Sequence, residues 1–175
     1  MSFIRIARLP AFCCAAFISA CASYGDSSTA LVQLDPTRGN NVTGSLRFLQ
    51  RGDLVSVIGQ ISGLQPNTEH GFHIHEKGDC SSGDGMSTGG HFNPDGKFHG
   101  AHGQGEHHAG DIPSLKSDVD GIAKVNFESN TISLRDGKPN NIIGRGLIVH
   151  KDSDDFKTQP TGNSGARLAC GVITK

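Results

Sequence analysis

The residues able to bind metal ions are concentrated in one stretch of this chain. Residues 70–111 contain eight of the nine histidines, and the ninth, His150, ends the apolar run GLIVH. Between its histidines the stretch is rich in Gly, Ser and Asp and poor in apolar residues, so it cannot form a hydrophobic core of its own. Imidazole and carboxylate groups are common ligands of metal ions. The stretch is therefore predicted to be a loop folded around metal ions and closed by a histidine from a distant strand.

The first candidate set of ligands has the spacing of a β-strand. His73 and His75 are separated by one residue, which on a strand places both imidazoles on the same face. His150, at the end of a β-branched run, can join them from a second strand. Several imidazoles arranged nearly in a plane suit copper(II).

A second set of ligand types follows within the same stretch. His91, His99, His108 and Asp111 bring three imidazoles and one carboxylate from a single loop. This combination suits a tetrahedral zinc site that is closed to solvent. His107 lies next to His108 and competes with it for this role.

Short β-strands are predicted to position these residues. Runs of alternating or continuous apolar and β-branched residues, bounded by Gly, Asn, Asp and Pro, predict eight strands. They cover residues 30–34, 42–49, 54–61, 69–75, 121–128, 131–134, 142–150 and 168–173. Eight short strands without a convincing helix predict an all-β fold, an antiparallel sandwich or barrel. The two connections that are too long for turns, 76–120 and 151–167, are predicted to be functional loops.

The composition agrees with this fold class and argues against other functions. The chain has 24 Gly and no Trp, which fits short strands and tight turns better than a helical bundle. Its 175 residues predict one domain after removal of a leader. The formal net charge is −1, and no basic helix or run of Lys and Arg is present. We therefore predict no binding to nucleic acid.

Residues 1–21 are predicted to be a signal peptide. Two arginines are followed by an apolar run too short to span a bilayer and by small residues at a cleavage site. The tetrapeptide ISAC at 18–21 resembles a bacterial lipobox, in which Cys21 is lipidated; the alternative is an ordinary secretory signal with Cys21 incidental. Residues 22–29 are then a tether and residues 30–175 the domain. We expect a periplasmic protein of the bacterial cell envelope, tethered to a membrane through Cys21.

The predicted domain contains two cysteines, Cys80 and Cys170. Two cysteines in an exported protein predict one disulfide, and the alternative is a pair of buried thiols. A bridge that closes so long a loop is expected to stabilise the fold by about 4–5 kcal/mol in the chain-entropy model. It would join the histidine-rich stretch to the last strand.

Six motifs along the chain carry a family resemblance. In order they are GFHIHEKGD, GGHFNP, HHAGD, DGIAKVNFE, IIGRGLIVHKDSDD and GNSGARLACGVI. Together they resemble the copper/zinc superoxide dismutase family, from about residue 30 to the C-terminus. The resemblance implies an eight-stranded antiparallel Greek-key β-barrel or sandwich with two long functional loops.

The resemblance also implies a role for each candidate residue. His91 bridges two ions, Asp154 links a copper-site histidine to a zinc-site histidine, and Arg167 is the active-site arginine. Cys80 and Cys170 form the disulfide. The implied copper ligands are His73, His75, His91 and His150, and the implied zinc ligands are His91, His99, His108 and Asp111.

Three histidines receive no ligand role from the resemblance. The family spacing before Asp111 selects His108 rather than His107 as the zinc ligand. His70 is implied to be a structural, hydrogen-bonding residue, and His102 fits no ligand spacing.

The implied reaction converts superoxide to oxygen and hydrogen peroxide by alternate reduction and oxidation of copper, with His91 carrying a proton, and it protects the cell envelope. Residues 1–21 contain Arg5 and Arg8 and no acid, so their removal leaves 14 basic and 17 acidic residues and a formal charge of −3. Arg167 is therefore expected to attract the anion locally.

The sequence is compatible with both a monomer and a homodimer. The competing hypotheses are a metal-binding or copper-delivery module without turnover, and an anchored adhesion domain.

Overall fold

A computed structural model describes Met1 and residues 28–175. The predicted signal peptide, Cys21 and residues 22–27 of the predicted tether lie outside the described residues. Among the described residues, no helix has the length and apolar character needed to cross a membrane.

The fold is all-β and antiparallel, which confirms the predicted fold class. In the longer strands, buried and exposed side chains alternate, as in β1, because one face packs on the core and the other faces solvent. One turn of 3₁₀ helix, Met86–Thr88, interrupts the first long loop. The strands are β1 Thr29–Pro36, β2 Thr43–Arg51, β3 Leu54–Ser62, β4 Glu69–His70, β5 Phe72–His75, β6 Leu115–Lys116, β7 Ala123–Ser129, β8 Gly146–His150 and β9 Arg167–Val172.

The strands form one curled sheet of seven strands in the order β5-β8-β9-β1-β2-β3-β7, and β4 pairs with β6 in a separate two-stranded ribbon. The last strand lies beside the first, through pairs such as Asp35 with Cys170. This order places β5, β8 and β9 side by side although they are far apart in the chain. These three strands carry His73, His75, His150, Arg167 and the disulfide residue Cys170.

Strand β5 is buried on both faces, and this explains how a polar pair can sit inside the fold. Phe72 and Ile74 are completely buried in the hydrophobic core. His73 and His75 point to the other face, which the first long loop covers through isolated bridges to Asp111 and His91. Both histidines are therefore buried as well.

The strand predictions were wrong in three places. The strand predicted at 69–75 is split at Gly71, because this residue bonds backbone to backbone with Asp152 and His150 instead of continuing a ladder. Residues 131–134 form no strand, since the Gln50 side chain takes the Leu134 N–H at 2.8 Å. β8 begins only at Gly146, after Gly144 turns the chain with a φ of 79°. In addition, the two-residue strand β6 lies within the predicted loop 76–120, so the described residues form nine strands rather than eight.

Candidate metal centre

Strand pairing brings the first set of candidate ligands together. β5 and β8 pair with His73 opposite Ile148 and His75 opposite Gly146. His150 ends β8 next to an irregularity in its pairing with β9. His73, His75, His91 and His150 are all buried, and their ligand atoms lie within 4.8 Å of one another. We call these four residues the strand group.

The second set forms an equally compact cluster in the first long loop. His91, His99, His108 and Asp111 are buried, and their ligand atoms also lie within 4.8 Å of one another. We call these four residues the loop group. His91 belongs to both groups.

Asp111 is oriented by the backbone of its own loop. Its Oδ2 accepts hydrogen bonds from the N–H groups of His108 at 2.8 Å and Gly100 at 3.1 Å. Its Oδ1 is left to face the imidazoles, with the Nδ1 atoms of His91, His99 and His108 at 2.8, 3.0 and 3.4 Å. One oxygen is therefore structural and the other is presented as a ligand.

In four of the imidazoles, the ring nitrogen that faces away from the group donates a hydrogen bond to an oxygen. His75 Nδ1 donates to the Gly89 carbonyl at 2.9 Å, and His150 Nδ1 donates to the Gly165 carbonyl at 3.3 Å. The carboxylate of Asp154 accepts from both His73 Nε2 at 2.7 Å and His99 Nε2 at 2.9 Å. Such bonds set the tautomer and ring orientation, so that the opposite nitrogen is free to bind a cation.

Four imidazole nitrogens are buried without a hydrogen-bond partner among the described residues. They are His73 Nδ1, His91 Nε2, His99 Nδ1 and His108 Nδ1. A buried polar atom without a partner is costly, and all four of these atoms face one of the two groups. Cations at the two groups would satisfy them.

The spacing of the loop group fits a small tetrahedral cation. Zinc bonds of 2.0–2.1 Å imply ligand atoms about 3.3–3.4 Å apart in a tetrahedron. The separations from Asp111 Oδ1 to the three imidazole nitrogens, 2.8–3.4 Å, are close to this value. In the strand group, the Nε2 atoms of His75 and His150 are 3.4 Å apart. Both groups therefore fit metal ions.

Burial keeps most of the strand group neutral. Burial, followed by neighbouring histidines, holds the pKa values of His75 and His150 well below the usual range. Burial also lowers the pKa of His91 to about 4, although its hydrogen bond to Asp111 opposes the shift. A neutral imidazole has a lone pair to offer, so these three side chains are ready to bind a cation at neutral pH.

The loop group has the opposite electrostatic character. Burial lowers the pKa of His99, but the neighbouring carboxylates of Asp111 and Asp154 outweigh burial and raise it to about 9. Burial works against the ionised form of both carboxyls, yet hydrogen bonds from histidines hold their pKa values well below the usual range. Without a metal ion, a protonated His99 therefore lies between two carboxylates. A metal ion at this group would displace that proton.

With this geometry in place, comparison with known proteins identifies the family. The model of the family described as "Copper/zinc superoxide dismutase (SODC)" matches residues 42–173. The chain belongs to the copper/zinc superoxide dismutase family.

Two solved structures are similar to this superoxide dismutase family member over most of their length. The clock protein EA4 is 39% identical, with a TM-score of 0.76 over 84% of this chain and 94% of that one. A double mutant of a SOD-like protein from Bacillus subtilis is 40% identical, with a TM-score of 0.75 over 83% of this chain and 97% of that one.

In this family member, the structure places Arg167 at the start of β9 and ties it to the first long loop. Its guanidinium donates to the Gly85 carbonyl at 2.5 Å, the Thr88 hydroxyl at 2.7 Å and the Gly89 carbonyl at 2.7 Å. Burial lowers the pKa of Arg167, and nearby Asp84 opposes the shift. Three of the five N–H donors are used in this way, and the other two form no hydrogen bond among the described residues.

The disulfide joins the same two regions of the superoxide dismutase fold. Cys80 and Cys170 are bonded, with their Cα atoms 5.9 Å apart. Cys80 lies in the first long loop and Cys170 in β9, so the bridge lies in the same two segments as the Arg167 contacts. The prediction of one disulfide is confirmed.

The three remaining histidines lie outside both groups. His70 bonds the His150 carbonyl at 2.9 Å and the Thr68 hydroxyl at 2.7 Å. His102 bonds the Asp111 carbonyl at 3.0 Å, and His107 bonds the His108 carbonyl at 2.8 Å. Each of the three uses a ring nitrogen to hold the backbone carbonyl of a group member.

Several contributors to the site could not be found from the sequence. The Gly89 and Gly165 carbonyls orient two imidazoles, but any residue type could supply a carbonyl there. Thr88 carried no signal beyond its place before the GGHFNP motif. Gly162 packs so closely on Asp154 and His99 that a side chain cannot be added. Its place in the GNSGAR motif was the available signal.

Proposed function

We propose that this chain is a superoxide dismutase that holds copper in the strand group and zinc in the loop group. Imidazole-only ligation of the strand group suits copper. Three imidazoles and a carboxylate in a buried cluster suit a closed zinc site, which has no open position for a substrate. Reaction is therefore assigned to the strand group.

The observation that carries this proposal is the position of His91 between the two groups. Its Nδ1 lies 2.8 Å from Asp111 Oδ1, in the loop group. Its Nε2 is buried without a hydrogen-bond partner among the described residues, and it faces the strand group. An imidazole can bind two cations at once only after losing both ring protons, which flanking cations make feasible. A purely structural metal protein has no need of this arrangement.

Copper, when bound, supplies the one-electron redox chemistry that turns two superoxide ions and two protons into one oxygen and one hydrogen peroxide. The chain contributes a proton site, because His91 Nε2 can hold a proton next to the substrate and release it. His91 Nδ1 and Asp111 Oδ1 would both hold the loop-group cation, so the ring keeps its orientation while Nε2 takes up and releases the proton. Arg167 offers its two free N–H donors to the incoming anion. This local positive charge matters because the body of the protein is mildly acidic.

The first experiment measures superoxide consumption by protein loaded with copper and zinc. We expect His150→Ala to reduce consumption to the level of the metal-loaded buffer, because it removes a strand-group ligand that has no substitute. Gln104→Ala is the control, since Gln104 is exposed in the same stretch and belongs to neither group, and it is expected to retain most of the activity. An active His150→Ala variant would overturn the copper assignment.

A second candidate function is metal binding without turnover. The relatives give it some weight, since one is described only as SOD-like and the other as a clock protein. The same assay separates the two functions. Protein that binds both metals stoichiometrically but consumes no superoxide supports the second candidate.

We also propose that residues 1–21 direct export and that Cys21 is lipidated, as the lipobox-like ISAC indicates. In a bacterial host that processes lipoproteins, the full chain is expected in the membrane fraction. Cys21→Ala is expected to move the protein out of that fraction. An unchanged distribution of Cys21→Ala between the membrane and soluble fractions would contradict lipidation.

Light scattering of the released domain would decide between monomer and homodimer.

A further inference from the structure

One loop-group ligand has an unusual backbone environment. The backbone N–H of His99 donates to Gln159 Oε1 at 2.8 Å, and its carbonyl accepts from Gln159 Nε2 at 2.9 Å. The two residues are 60 positions apart in the chain. A single side-chain amide therefore pairs with both backbone groups of His99, as a neighbouring strand would.

No backbone partner takes this role. Within residues 28–175, neither backbone group of His99 forms a backbone–backbone hydrogen bond. The segment around it, from Pro94 to Ala101, has no regular secondary structure. Without Gln159, the main chain at His99 is held only by its covalent neighbours.

The same loop also holds the imidazole of His99. Asp154 Oδ1 accepts from His99 Nε2 at 2.9 Å, and Asp154 and Gln159 both belong to the 151–167 connection. His99 is thus fixed at its ring by one residue and at its backbone by the other. With both ends fixed, Nδ1 stays directed at Asp111 Oδ1, 3.0 Å away.

The turn that carries Gln159 is itself well ordered. Asp155 accepts hydrogen bonds from the backbone N–H groups of Lys157 and Thr158 at 2.9 and 2.8 Å. Gln159 Nε2 also lies 3.3 Å from the Lys157 carbonyl. Only one orientation of the amide places its oxygen on the His99 N–H and its nitrogen on the two carbonyls. Gln159 is exposed to solvent, so it has no role in the hydrophobic core.

We propose that Gln159 is a positioning residue for the loop group, acting through the backbone of His99. The inference rests on the proposed zinc site and assigns a role to a residue outside both groups. Loss of partners behind a metal ligand typically weakens metal binding 10–100-fold. Because water can reach this exposed position, we expect an effect of about tenfold, at the lower end of that range.

The experiment compares Gln159→Leu and Gln159→Ala with Gln104→Ala. Leucine keeps the size of the side chain but leaves the His99 backbone groups unpaired, whereas the alanine variant admits water that can replace the lost bonds. Gln104 is exposed in the same histidine-rich stretch, and its amide makes no hydrogen bond among the described residues. It is therefore a matched control.

Binding is measured with Co²⁺, whose visible spectrum reports the geometry of a tetrahedral site, and with Zn²⁺ against a chelator. We expect the affinity of Gln159→Leu for Co²⁺ and Zn²⁺ to fall about tenfold relative to the parent protein. The affinity of Gln159→Ala is expected to fall by less, and that of Gln104→Ala to stay unchanged. The Co²⁺ bands of Gln159→Leu are expected to shift. Copper affinity of the strand group and the melting temperature of the metal-free protein are expected to stay unchanged.

Two outcomes overturn the inference, and they can be told apart. If the parent protein binds Co²⁺ at the loop group and both Gln159 variants match it in affinity and spectrum, Gln159 has no positioning role and the proposed zinc site stands. If the parent protein itself binds neither Co²⁺ nor Zn²⁺ there, the proposed function has failed and the inference fails with it.

Discussion

The strand group and the loop group share His91 but are built by different means. In the strand group, His73 and His75 are positioned by the pairing of β5 with β8, which a sheet forms through its own backbone. In the loop group, His99 and His108 lie in segments without regular structure. They are held by side-chain hydrogen bonds and by one shared carboxylate, that of Asp111.

This difference teaches where each half of the site obtains its rigidity. A strand ligand is placed as soon as the sheet is formed, because neighbouring pairs fix the register. A loop ligand depends on polar contacts that include the ion itself, so metal binding contributes to ordering the loop. We therefore expect the loop group to respond more strongly than the strand group to loss of a polar side chain.

The largest expected effect is that of Asp111→Ala. The change removes the oxygen that faces three imidazoles and the oxygen that holds the N–H groups of His108 and Gly100. We expect zinc affinity to fall at least about a hundredfold, beyond what loss of an outer partner causes. Copper affinity of the strand group is expected to fall by less. The two affinities are measured by chelator competition, and an equal loss in both groups would contradict the comparison.

Asp154→Asn tests the link between the two groups. The Asp154 carboxylate accepts one hydrogen bond from His73, in the strand group, and one from His99, in the loop group. An amide has a single acceptor oxygen and must turn a donor towards the other imidazole. We expect copper and zinc affinities both to fall about 10–100-fold, measured as for Asp111. Asp53→Asn is the control, since this exposed carboxylate contacts Arg135 rather than the site, and unchanged affinities of both groups in Asp154→Asn would refute the link.

Gly162→Ala probes the same link through packing. Gly162 has a φ of 66°, and an added Cβ would lie against Asp154 Oδ1 and 2.5 Å from His99 Nε2. We expect about tenfold weaker binding of both metals, because the bonds that orient the ligands are displaced. Gly103→Ala is the control, since its φ of 71° is similar and nothing lies within 4 Å of the added atom. Gly103→Ala therefore imposes backbone strain without a new contact. Equal losses of metal affinity in the two variants would show that packing of Gly162 on Asp154 is unimportant.

Two histidines of the site are expected to make the stability of the metal-free protein depend on pH in opposite directions. The pKa of His91 is lowered to about 4, so its contribution is complete above the unfolded value of about 6.5 and is lost as pH falls towards 4. The pKa of His99 is raised to about 9, so its contribution is complete below about 6.5 and is lost as pH rises through about 9. The free energy of unfolding is therefore expected to be largest near pH 6.5.

The loss of stability expected on the acid side of this profile can be calculated from the pKa of His91. Between pH 6.5 and 5.5, His91 alone is expected to cost about 1 kcal/mol of stability, and His75 and His150 act in the same direction. Denaturant titrations of the metal-free protein from pH 5 to 9 measure it. His91→Gln is expected to reduce the acid-side slope and leave the alkaline side unchanged. A profile that is flat from pH 5.5 to 9 would contradict both assignments.

The same contrast explains which parts of the site could be predicted from the sequence. Strand ligands leave a local signal, because the spacing of His73 and His75 and the apolar run before His150 follow from strand periodicity. The loop ligands could be proposed from residue type and motif. Their supporting contacts could not, since Gln159 meets His99 across 60 residues and carbonyls such as Gly89 have no residue signature.

The errors in the predicted strands have a related cause. Residues 131–134 have the alternation of a strand, and Ile132 and Leu134 are indeed buried in the core. The Leu134 N–H, however, donates to the Gln50 side chain, and Ser133 forms backbone hydrogen bonds with the 140–142 segment, which is not a strand. Alternation predicts which side chains are buried, but the partner of the backbone depends on the tertiary fold.

The smallest expected effect concerns the charge that the first loop places near the strand group. Asp84 precedes Gly85, whose carbonyl accepts from Arg167, and its negative charge partly offsets that of the guanidinium. We expect Asp84→Asn to increase the rate of superoxide consumption up to about twofold at low ionic strength, and the gain to vanish in about 0.5 M salt because the Debye length becomes short. Asp53→Asn is the control, since this exposed carboxylate contacts Arg135 rather than the site. An increase that persists in salt, or that Asp53→Asn reproduces, would show that Asp84 does not act through the local field at Arg167.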